Sequence, residues 1–387
     1  MTDIKRRTLL QSAGAAAFLA ASAGVLPLFG TDGAQQDPAV CKSPDLSEQD
    51  KKLIVSNWPA YIDPRNKPTS TMAEFQQQTG ISVSYTADVN DNAEFFAKVR
   101  NQMSTCQSVK RDMFVLTDWM AARMIALGWI QQFTPGSVKT MQENILPSLA
   151  HPAWDKNREY SATWQSGLTG IAYNAKETGE IKSFEELVSR PDLKGKITLL
   201  TEMRDTMAFM LFVVGADPAN FTPAQWDSAI ERLRKAVGDG QVRSFTGNDY
   251  IQDLTAGNIV ACEAWSGDVI GVQADNPDIK FVIPEEGVML WSDNMLVPNL
   301  ATHQANAEKW IDYYYDPVVA AKLAGWVNYI CPVKGAQQAM EKVDPSLVDN
   351  ELIFPSEDTL AKTSLFMALG ETQMQIYEGE WSDVTGA

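Results

Sequence analysis

Three short apolar segments decide the fold of this chain: K-L-I-V-S (52–56), I-S-V-S-Y (81–85) and D-M-F-V-L (112–116). Their length and their β-branched and aromatic residues indicate β-strands. Amphipathic segments with helical periodicity lie between them, the first ending at Gly80 and the second running from Ala93 to Met103. This alternation of strand and helix predicts a parallel sheet whose ligands bind at the carboxyl ends of the strands.

Four candidate binding residues follow the ends of these strands. Trp58 and Tyr61 come directly after the first strand, and Thr117 and Trp119 come directly after the third. Since strand ends of a parallel sheet meet at one edge, we expect these side chains to lie near a ligand. The alternative for each tryptophan is a structural role in the core, because tryptophan is usually well buried.

The length of 387 residues predicts two lobes instead of one core. An extended segment at 160–174, which contains two glycines, is expected to cross into the second lobe, and residues 285–287 to cross back. We therefore predict an α/β fold of two lobes with mixed sheets and two crossovers between the lobes. The expected ranges are 51–160 with 285–325 for lobe 1, and 161–284 with 326–387 for lobe 2.

The stretch from Cys262 to Pro298 carries two tryptophan–aspartate pairs, Trp265 with Asp268 and Trp291 with Asp293. An aromatic face attracts a cation, and a nearby carboxylate accepts its N–H donors, so such a pair suits an organic ammonium ion. The alternative is a core tryptophan beside a surface aspartate. A further polar cluster, T-E-M-R-D (201–205), follows a predicted strand at Ile197–Leu200.

Composition narrows the class of protein. With 49 acidic and 32 basic residues the net charge is −17, which argues against nucleic acid as a partner and is compatible with a cationic ligand. The chain has no phosphate-binding loop, no G-x-G-x-x-G and no G-x-S-x-G motif. With two histidines and no C-x-x-C spacing we expect no metal and no other cofactor, and no enzyme activity. Abundant carboxylates keep a glycosidase as an alternative.

The N-terminus is typical of an export signal. Residues K-R-R-T-L-L (5–10) place a twin arginine before an alanine-rich apolar stretch at 15–29. We therefore expect a twin-arginine signal at 1–34, a polar tether at 35–50 and a periplasmic or cell-surface location. A lipid anchor on Cys41 is an alternative that the preceding Ala39 and Val40 do not favour.

The chain has four cysteines, and an exported protein is free to form disulfides. Four cysteines allow three pairings, among which sequence alone does not choose. We expect Cys41–Cys106 and Cys262–Cys331.

Taken together, these segments resemble the periplasmic spermidine/putrescine-binding proteins of bacterial ABC importers (extracellular solute-binding protein family 1). The resemblance extends from about Leu53 to Trp381. Its motifs are N-W-x-x-Y-I (57–62), T-D-W (117–119), G-I-A-Y-N (170–174), L-K-G-K-I (193–197), A-W-S-G-D (264–268), P-E-E-G (284–287), W-S-D-N-M (291–295) and Y-Y-D-P-V-V-A-A (314–321). It implies a type II periplasmic binding protein fold that closes over a polyamine and presents it to permease subunits.

The resemblance also assigns site residues. Its aromatic residues fall on Trp58, Tyr61, Trp119, Trp265, Trp291 and Tyr329, and its carboxylates on Asp268 and Asp293. Thr117 takes the place of a serine at a strand end. Because residues 201–205 are one residue shorter than the spermidine-type pattern, either Glu202 or Asp205 is the further acid. Phe366 stands where the spermidine-type pattern has a glutamine, which leaves the length of the polyamine open.

The sequence therefore predicts a monomeric binding protein for a putrescine- or spermidine-type polyamine. Aromatic walls would cover the methylene chain, and carboxylates at its two ends would set its length, because an unpaired buried ammonium is costly. The first alternative is a sugar or oligosaccharide receptor, since aromatic rings also stack on sugars. A less favoured alternative is an exported carbohydrate-active enzyme.

Overall fold

The computed structural model describes residues 41–273, 276–360 and 362–386. Within them the strands are β1 (Lys52–Asn57), β2 (Ser82–Ala87), β3 (Met113–Thr117), β4 (Ser161–Asn174), β5 (Ile197–Leu200), β6 (Val242–Thr246), β7 (Ala261–Trp265), β8 (Ile279–Val282), β9 (Val288–Leu296) and β10 (Thr363–Ser364). The helices are α1 (Thr71–Thr79), α2 (Asn92–Ser104), α3 (Asp118–Ala126), α4 (Lys139–Asn144), α5 (Ala175–Thr178), α6 (Phe184–Ser189), α7 (Met203–Val213), α8 (Pro223–Gly238), α9 (Tyr250–Ala256), α10 (Ser266–Gln273), α11 (Gln304–Tyr314), α12 (Pro317–Val327), α13 (Ala336–Val343), α14 (Glu357–Leu360) and α15 (Glu371–Thr385).

The ten strands of the described residues belong to one mixed sheet, eight of them in the order β2-β1-β3-β9-β4-β7-β5-β6. Of the other two, β8 pairs with β4 and β10 pairs with β9. Strands β1, β2 and β3 are parallel, as are β5, β6 and β7. Between these two parallel groups lie β4 and β9, which are antiparallel to each other and to their outer neighbours β7 and β3. The predicted α/β fold with mixed strand directions and two crossovers is confirmed, and the crossovers are β4 and β9.

We call lobe 1 the half that contains β1–β3, α1–α4 and α11–α13, and lobe 2 the half that contains β5–β8, α5–α10 and α15. Strands β4 and β9 connect the lobes. Lobe 1 packs around large buried residues such as Phe75 and Trp310, and lobe 2 around Phe184 and Trp226. Helix α13 packs through Met340 in the same hydrophobic cluster as Phe75 and Trp310. The expected ranges of the two lobes stay a prediction.

The start of α2 shows how local sequence positions a functional residue. Asp91 is the N-cap and accepts a hydrogen bond from the backbone N–H of Glu94, which satisfies one of the free donors of the first turn. Phe95 and Val99 lie one turn apart and are buried in lobe 1. This fixes Asn92, the first residue of the helix, at the surface where lobe 1 meets lobe 2.

Residues 1–40, with the expected signal and the first part of the expected tether, lie outside the described residues. From Cys41 onward the chain packs against lobe 1. Ser43 Oγ donates to the carbonyl of Ala301 (2.9 Å), and the Leu46 N–H donates to the carbonyl of Thr302 (2.7 Å). Among the helices described, none is both long and apolar enough to cross a membrane.

One of the two expected disulfides is present and the other is not. Cys41 is bonded to Cys106, which joins the N-terminal segment to the end of α2. The expectation for Cys262 and Cys331 is corrected, because both are buried free thiols. Backbone pairing holds them apart: Cys262 pairs with β4 and β5 in lobe 2, whereas the Cys331 N–H donates to the Ile353 carbonyl in lobe 1.

Candidate ligand-binding site

Five of the expected aromatic residues form one continuous cluster between the lobes. The ring centroids are 5.1 Å apart for Tyr61 and Tyr329, 5.4 Å for Tyr329 and Trp291, 6.3 Å for Trp291 and Trp265, and 6.0 Å for Trp265 and Trp58. Every contact is edge-to-face, a favoured geometry for aromatic pairs. We call these five residues the aromatic cluster.

The cluster is assembled from both lobes and from a connecting strand. Trp58 and Tyr61 lie in the β1–α1 loop, which is held because Trp164 Nε1 donates to the Tyr61 carbonyl (3.1 Å). Trp265 ends β7, and Trp291 lies in β9. Tyr329 follows α12 and is placed by the backbone pairing of the next residue, Ile330, with Ser166 of β4.

Two glycines make room for these rings. Gly167 of β4 lies against the Trp291 indole, and any Cβ there would overlap the ring. Gly267 of α10 lies against Tyr329, where a Cβ would come 2.5 Å from a ring carbon. Real Cβ atoms do not approach so closely, so the close approach of the backbone to the cluster requires glycine at both positions.

Two carboxylates beside the cluster have no basic partner. Asp293 accepts a hydrogen bond from Thr117 Oγ1 (2.7 Å), and Asp268 accepts from Asn248 Nδ2 (2.8 Å) and the Tyr250 hydroxyl (2.9 Å). Burial raises the pKa of Asp293 to about 7 and the pKa of Asp268 to about 6, although these hydrogen bonds act in the opposite direction. No ion pair within the described part of the chain includes either residue.

Asp205 has a different environment, because both of its oxygens accept hydrogen bonds from neighbouring side chains. Oδ1 accepts from Thr169 Oγ1 (3.0 Å), and Oδ2 accepts from Trp265 Nε1 (3.0 Å). Burial raises the pKa of Asp205 to about 6, against the effect of these bonds and of the nearby Arg204. Asp205 therefore fixes the orientation of an indole of the aromatic cluster.

Glu202 lies at the lobe interface. Its Oε1 accepts hydrogen bonds from the backbone N–H (2.8 Å) and from Nδ2 (2.9 Å) of Asn92. Burial and, next, the Asp91 carboxylate raise the pKa of Glu202 well above its usual range. The two acids between which the sequence left the choice open thus have separate partners: Asp205 bonds to Trp265, and Glu202 bonds to lobe 1.

Trp119 stands apart from the aromatic cluster. The Arg204 guanidinium lies over its ring, 3.6 Å from the ring centre, in a cation–π contact that joins the lobes. Burial lowers the pKa of Arg204 to about 10, so the guanidinium stays charged at neutral pH. Trp119 therefore contacts a cationic side chain of the protein itself, whereas the sequence predicted that it contacts a ligand.

The chemistry of the cluster is that of a cation site. It offers aromatic faces and two carboxylates without a basic partner. The two histidines lie elsewhere, since His303 contacts Asp112 and His151 contacts the Lys156 carbonyl. In the ranges that the structure describes, no group of three or more His, Cys, Asp or Glu side chains is arranged to hold a metal ion.

Comparison with known proteins decides the family. A family model described as bacterial extracellular solute-binding protein matches residues 70–354, which is more than half of the chain. The chain belongs to this family. Its members bind solutes outside the cytoplasm, as the description of the family states.

Relatives of this solute-binding protein extend over nearly its whole length. The spermidine/putrescine-binding periplasmic protein 1 of Haemophilus influenzae is 25% identical over 357 residues, which cover 90% of this chain and 94% of the relative. The putrescine-binding periplasmic protein PotF of Escherichia coli is 27% identical and covers 82% of this chain and 86% of its own. The structure of the spermidine/putrescine substrate-binding protein PotD of Streptococcus pneumoniae matches with a TM-score of 0.69 at 21% identity, covering 86% and 98% of the two chains. This likeness confirms the two-lobed fold.

Sequence reasoning missed three polar residues at the site of this solute-binding protein. Asn248 and Tyr250 hold Asp268, and Asn92 contacts both Thr117 and Glu202. Asn248 and Tyr250 follow β6, so the rule of parallel strand ends applied to lobe 2 would have found them. Asn92 is the first residue of a helix, and nothing in its local sequence distinguishes it.

Proposed function

We propose that this protein binds a polyamine of the putrescine or spermidine type between its lobes and delivers it to the permease subunits of an ABC importer. The observation that carries the proposal is the pair Asp268 and Asp293, which are buried beside five aromatic rings without a basic partner. The names of relatives that align over nearly the whole chain support the same ligand class.

A polyamine would complete this site electrostatically. Two buried carboxylates without counter-ions are costly to ionise, and two ammonium groups on one ligand would compensate both. Each aromatic face next to a desolvated ammonium contributes about 0.5–2 kcal/mol. A sugar is neutral and would leave both carboxylates unpaired, so the same observation argues against the sugar receptor.

We assign the contacts to the ligand as follows. Asp268 and Asp293 hold its ammonium groups, and the aromatic cluster covers its methylene chain. Thr117 orients Asp293, and Asp205 orients Trp265, since their hydrogen bonds are directed to those groups. We assign Asp268 and Asp293 to the ligand because they lie beside the aromatic cluster without a basic neighbour, whereas Asp205 lies next to Arg204 and Glu202 bonds to Asn92. Two carboxylates suit a linear cation with a charge at each end.

Calorimetric titration with putrescine, spermidine, agmatine and a maltodextrin tests the proposal. We expect binding of at least one of the three amines and no heat from the maltodextrin. Asp268→Asn removes one of two buried carboxylates and should weaken amine binding about 30-fold or more. The exposed Asp227→Asn is the matched control and should leave affinity unchanged. Heat from the maltodextrin alone would reject the polyamine ligand.

We further propose that the protein acts as a monomer in the periplasm after export by the twin-arginine route. The arginine pair before an apolar stretch supports the export route, and the periplasmic location in the names of the relatives supports the location. The Cys41 sulfur is bonded to Cys106, and a lipid on Cys41 would need the same sulfur. We therefore propose that this residue carries no lipid.

A further inference from the structure

Lobe 2 touches the start of α2 in lobe 1 through adjacent hydrogen bonds. Besides the two bonds from Asn92 to Glu202, Thr201 Oγ1 donates to Asp91 Oδ2 (2.9 Å). Asn92 is fully buried and Glu202 is 6% exposed. A carboxylate is favoured at this place, because the N-terminus of a helix carries a partial positive charge and free N–H donors.

A chain of hydrogen bonds leads from this contact to the ligand site. Asn92 Nδ2, which donates to Glu202, also donates to Thr117 Oγ1 (2.8 Å). The backbone N–H of Thr117 donates to Asn92 Oδ1 (3.1 Å), so the amide is held from both ends. Thr117 Oγ1 in turn donates to Asp293 Oδ1 (2.7 Å). Two intervening residues thus link the carboxylate of the ligand site to the carboxylate at the lobe interface.

We propose that the hydrogen bonds between Glu202 and Asn92 form a latch that holds the lobes together. A cationic ligand at Asp293 would stabilise this latch through Thr117. The inference rests on the proposed function, because it needs an ammonium group at Asp293. An ammonium keeps Asp293 ionised, and an ionised carboxylate only accepts hydrogen bonds. Thr117 must then donate to Asp293, which leaves its lone pair for Asn92 and directs the amide to Glu202.

The latch acts on ligand release more than on ligand capture. Its hydrogen bonds exist only while the lobes touch, and opening returns Glu202 and the start of α2 to water. The backbones of the two lobes also approach closely at this interface, where a Cβ on Gly247 would come 2.7 Å from Asn90 Nδ2. Loss of the latch should therefore raise the dissociation rate constant and leave the association rate constant nearly unchanged.

The test is a double-mutant cycle with putrescine and spermidine, read by stopped-flow tryptophan fluorescence and by calorimetric titration. We expect Glu202→Ala and Asn92→Ala each to raise the dissociation rate constant about tenfold, as for the loss of a charged hydrogen bond. The double variant should release ligand about as fast as either single variant, because both remove the same contact. Glu202→Gln keeps an acceptor oxygen for Asn92 and should stay within a few-fold of the wild type.

A direct role of Glu202 at the ligand predicts the opposite pattern. In that case Glu202→Gln would lose as much affinity as Glu202→Ala, and the losses from Glu202→Ala and Asn92→Ala would add. Either result would overturn the latch. The exposed Glu94→Ala, in the same first turn of α2, is the control for charge and should change neither rate constant. Thermal unfolding of each ligand-free variant verifies that it is folded.

The outcomes for latch and function are distinguishable. A wild-type protein that binds polyamine, with additive losses in the cycle, rejects the latch and keeps the proposed function. A wild-type protein that binds none of the amines rejects the proposed function, and the latch with it.

Discussion

At the scale of the residue, the protonation of Asp293 and Asp268 should control affinity. Burial raises the pKa of Asp293 to about 7 and the pKa of Asp268 to about 6, whereas an ammonium ligand binds the ionised forms. At a pH below these pKa values, each carboxyl group must lose its proton before it binds the ammonium group. We therefore expect Kd to rise as the pH falls from 8 to 6, approaching about tenfold per pH unit for each protonated carboxylate.

Calorimetric titration at pH 8, 7 and 6 in two buffers with different ionisation enthalpies measures this effect and the number of protons released. Asp293→Asn should bind more weakly at pH 8 and show a shallower dependence between pH 8 and pH 7. An affinity that does not change between pH 8 and pH 6 would contradict the assignment of these two carboxylates to the ligand.

At the scale of the element, β5 and β9 show what a sequence pattern can predict. Strand β5 occupies the predicted residues Ile197–Leu200. A short apolar run between polar residues is typical of a strand that is buried on both faces of a sheet. Strand β9 was not predicted as a strand. Its centre, Ser292-Asp293-Asn294, is polar and buried, since Ser292 and Asp293 bond to hydroxyls of neighbouring strands and Asn294 Nδ2 donates to the Asp118 carboxylate at the start of α3. Such pairing depends on the fold and leaves no local pattern.

The same limit applies to the elements of the candidate site. The strand-end rule brings Trp58, Tyr61 and Thr117 to one edge of the sheet, because β1 and β3 are adjacent and parallel. That these residues contact a ligand stays a prediction. The rule concerns strand ends only, so it does not predict contacts with a helix of the opposite lobe. Trp119 lies under Arg204 of α7, whose first turn is buried where the lobes meet.

Helix α10 offers a test of the packing at the site. Gly267 faces the Tyr329 ring, whereas Gly271, one turn further along, has nothing within 4 Å of its Cβ position. We expect Gly267→Ala to displace Tyr329, to lower the free energy of unfolding by about 1–3 kcal/mol as overpacking does, and to weaken ligand binding. Gly271→Ala should be neutral or stabilise by up to about 1 kcal/mol, because alanine favours a helix.

Urea unfolding and calorimetric titration of both variants measure these effects. The pair is well matched, since the substitution and the helix are the same and the contact with the aromatic cluster differs. Equal affinity of the Gly267→Ala variant and the wild type would show that Tyr329 is not needed in the observed position.

At the scale of the whole molecule, we expect the candidate ligand site to lower the stability of the ligand-free protein and a bound cation to restore it. The lobes close around carboxylates that the protein itself does not neutralise, in a chain whose net charge is already −17. Self-repulsion and burial of charge both disfavour this closed form. A cationic ligand removes part of each cost, so binding and closure are expected to be tightly coupled.

This coupling predicts how stability depends on pH without ligand. The folded pKa values of Asp293, Asp268 and Asp205, about 7, 6 and 6, all lie above the unfolded value of about 3.9. Groups with a raised folded pKa stabilise the fold fully below the unfolded pKa, and this contribution is lost as the pH rises through the folded pKa. The ligand-free protein should therefore melt at a higher temperature at pH 5 than at pH 8.

The window from pH 5 to pH 8 covers the titration of these three groups and of Asp118, whose pKa burial also raises to about 6 and which acts in the same direction. Exposed carboxylates such as Asp192 and Asp239 have lowered pKa values because of the lysine or arginine beside them, and they remain ionised throughout it. A polyamine should reverse the trend, because it binds the ionised carboxylates and stabilises the fold more at pH 8 than at pH 5. The double variant Asp268→Asn and Asp293→Asn should show a flatter pH profile and a higher melting temperature than the ligand-free wild type at pH 8. Scanning calorimetry with and without putrescine measures both trends, and a ligand-free protein that melts highest at pH 8 would contradict the argument.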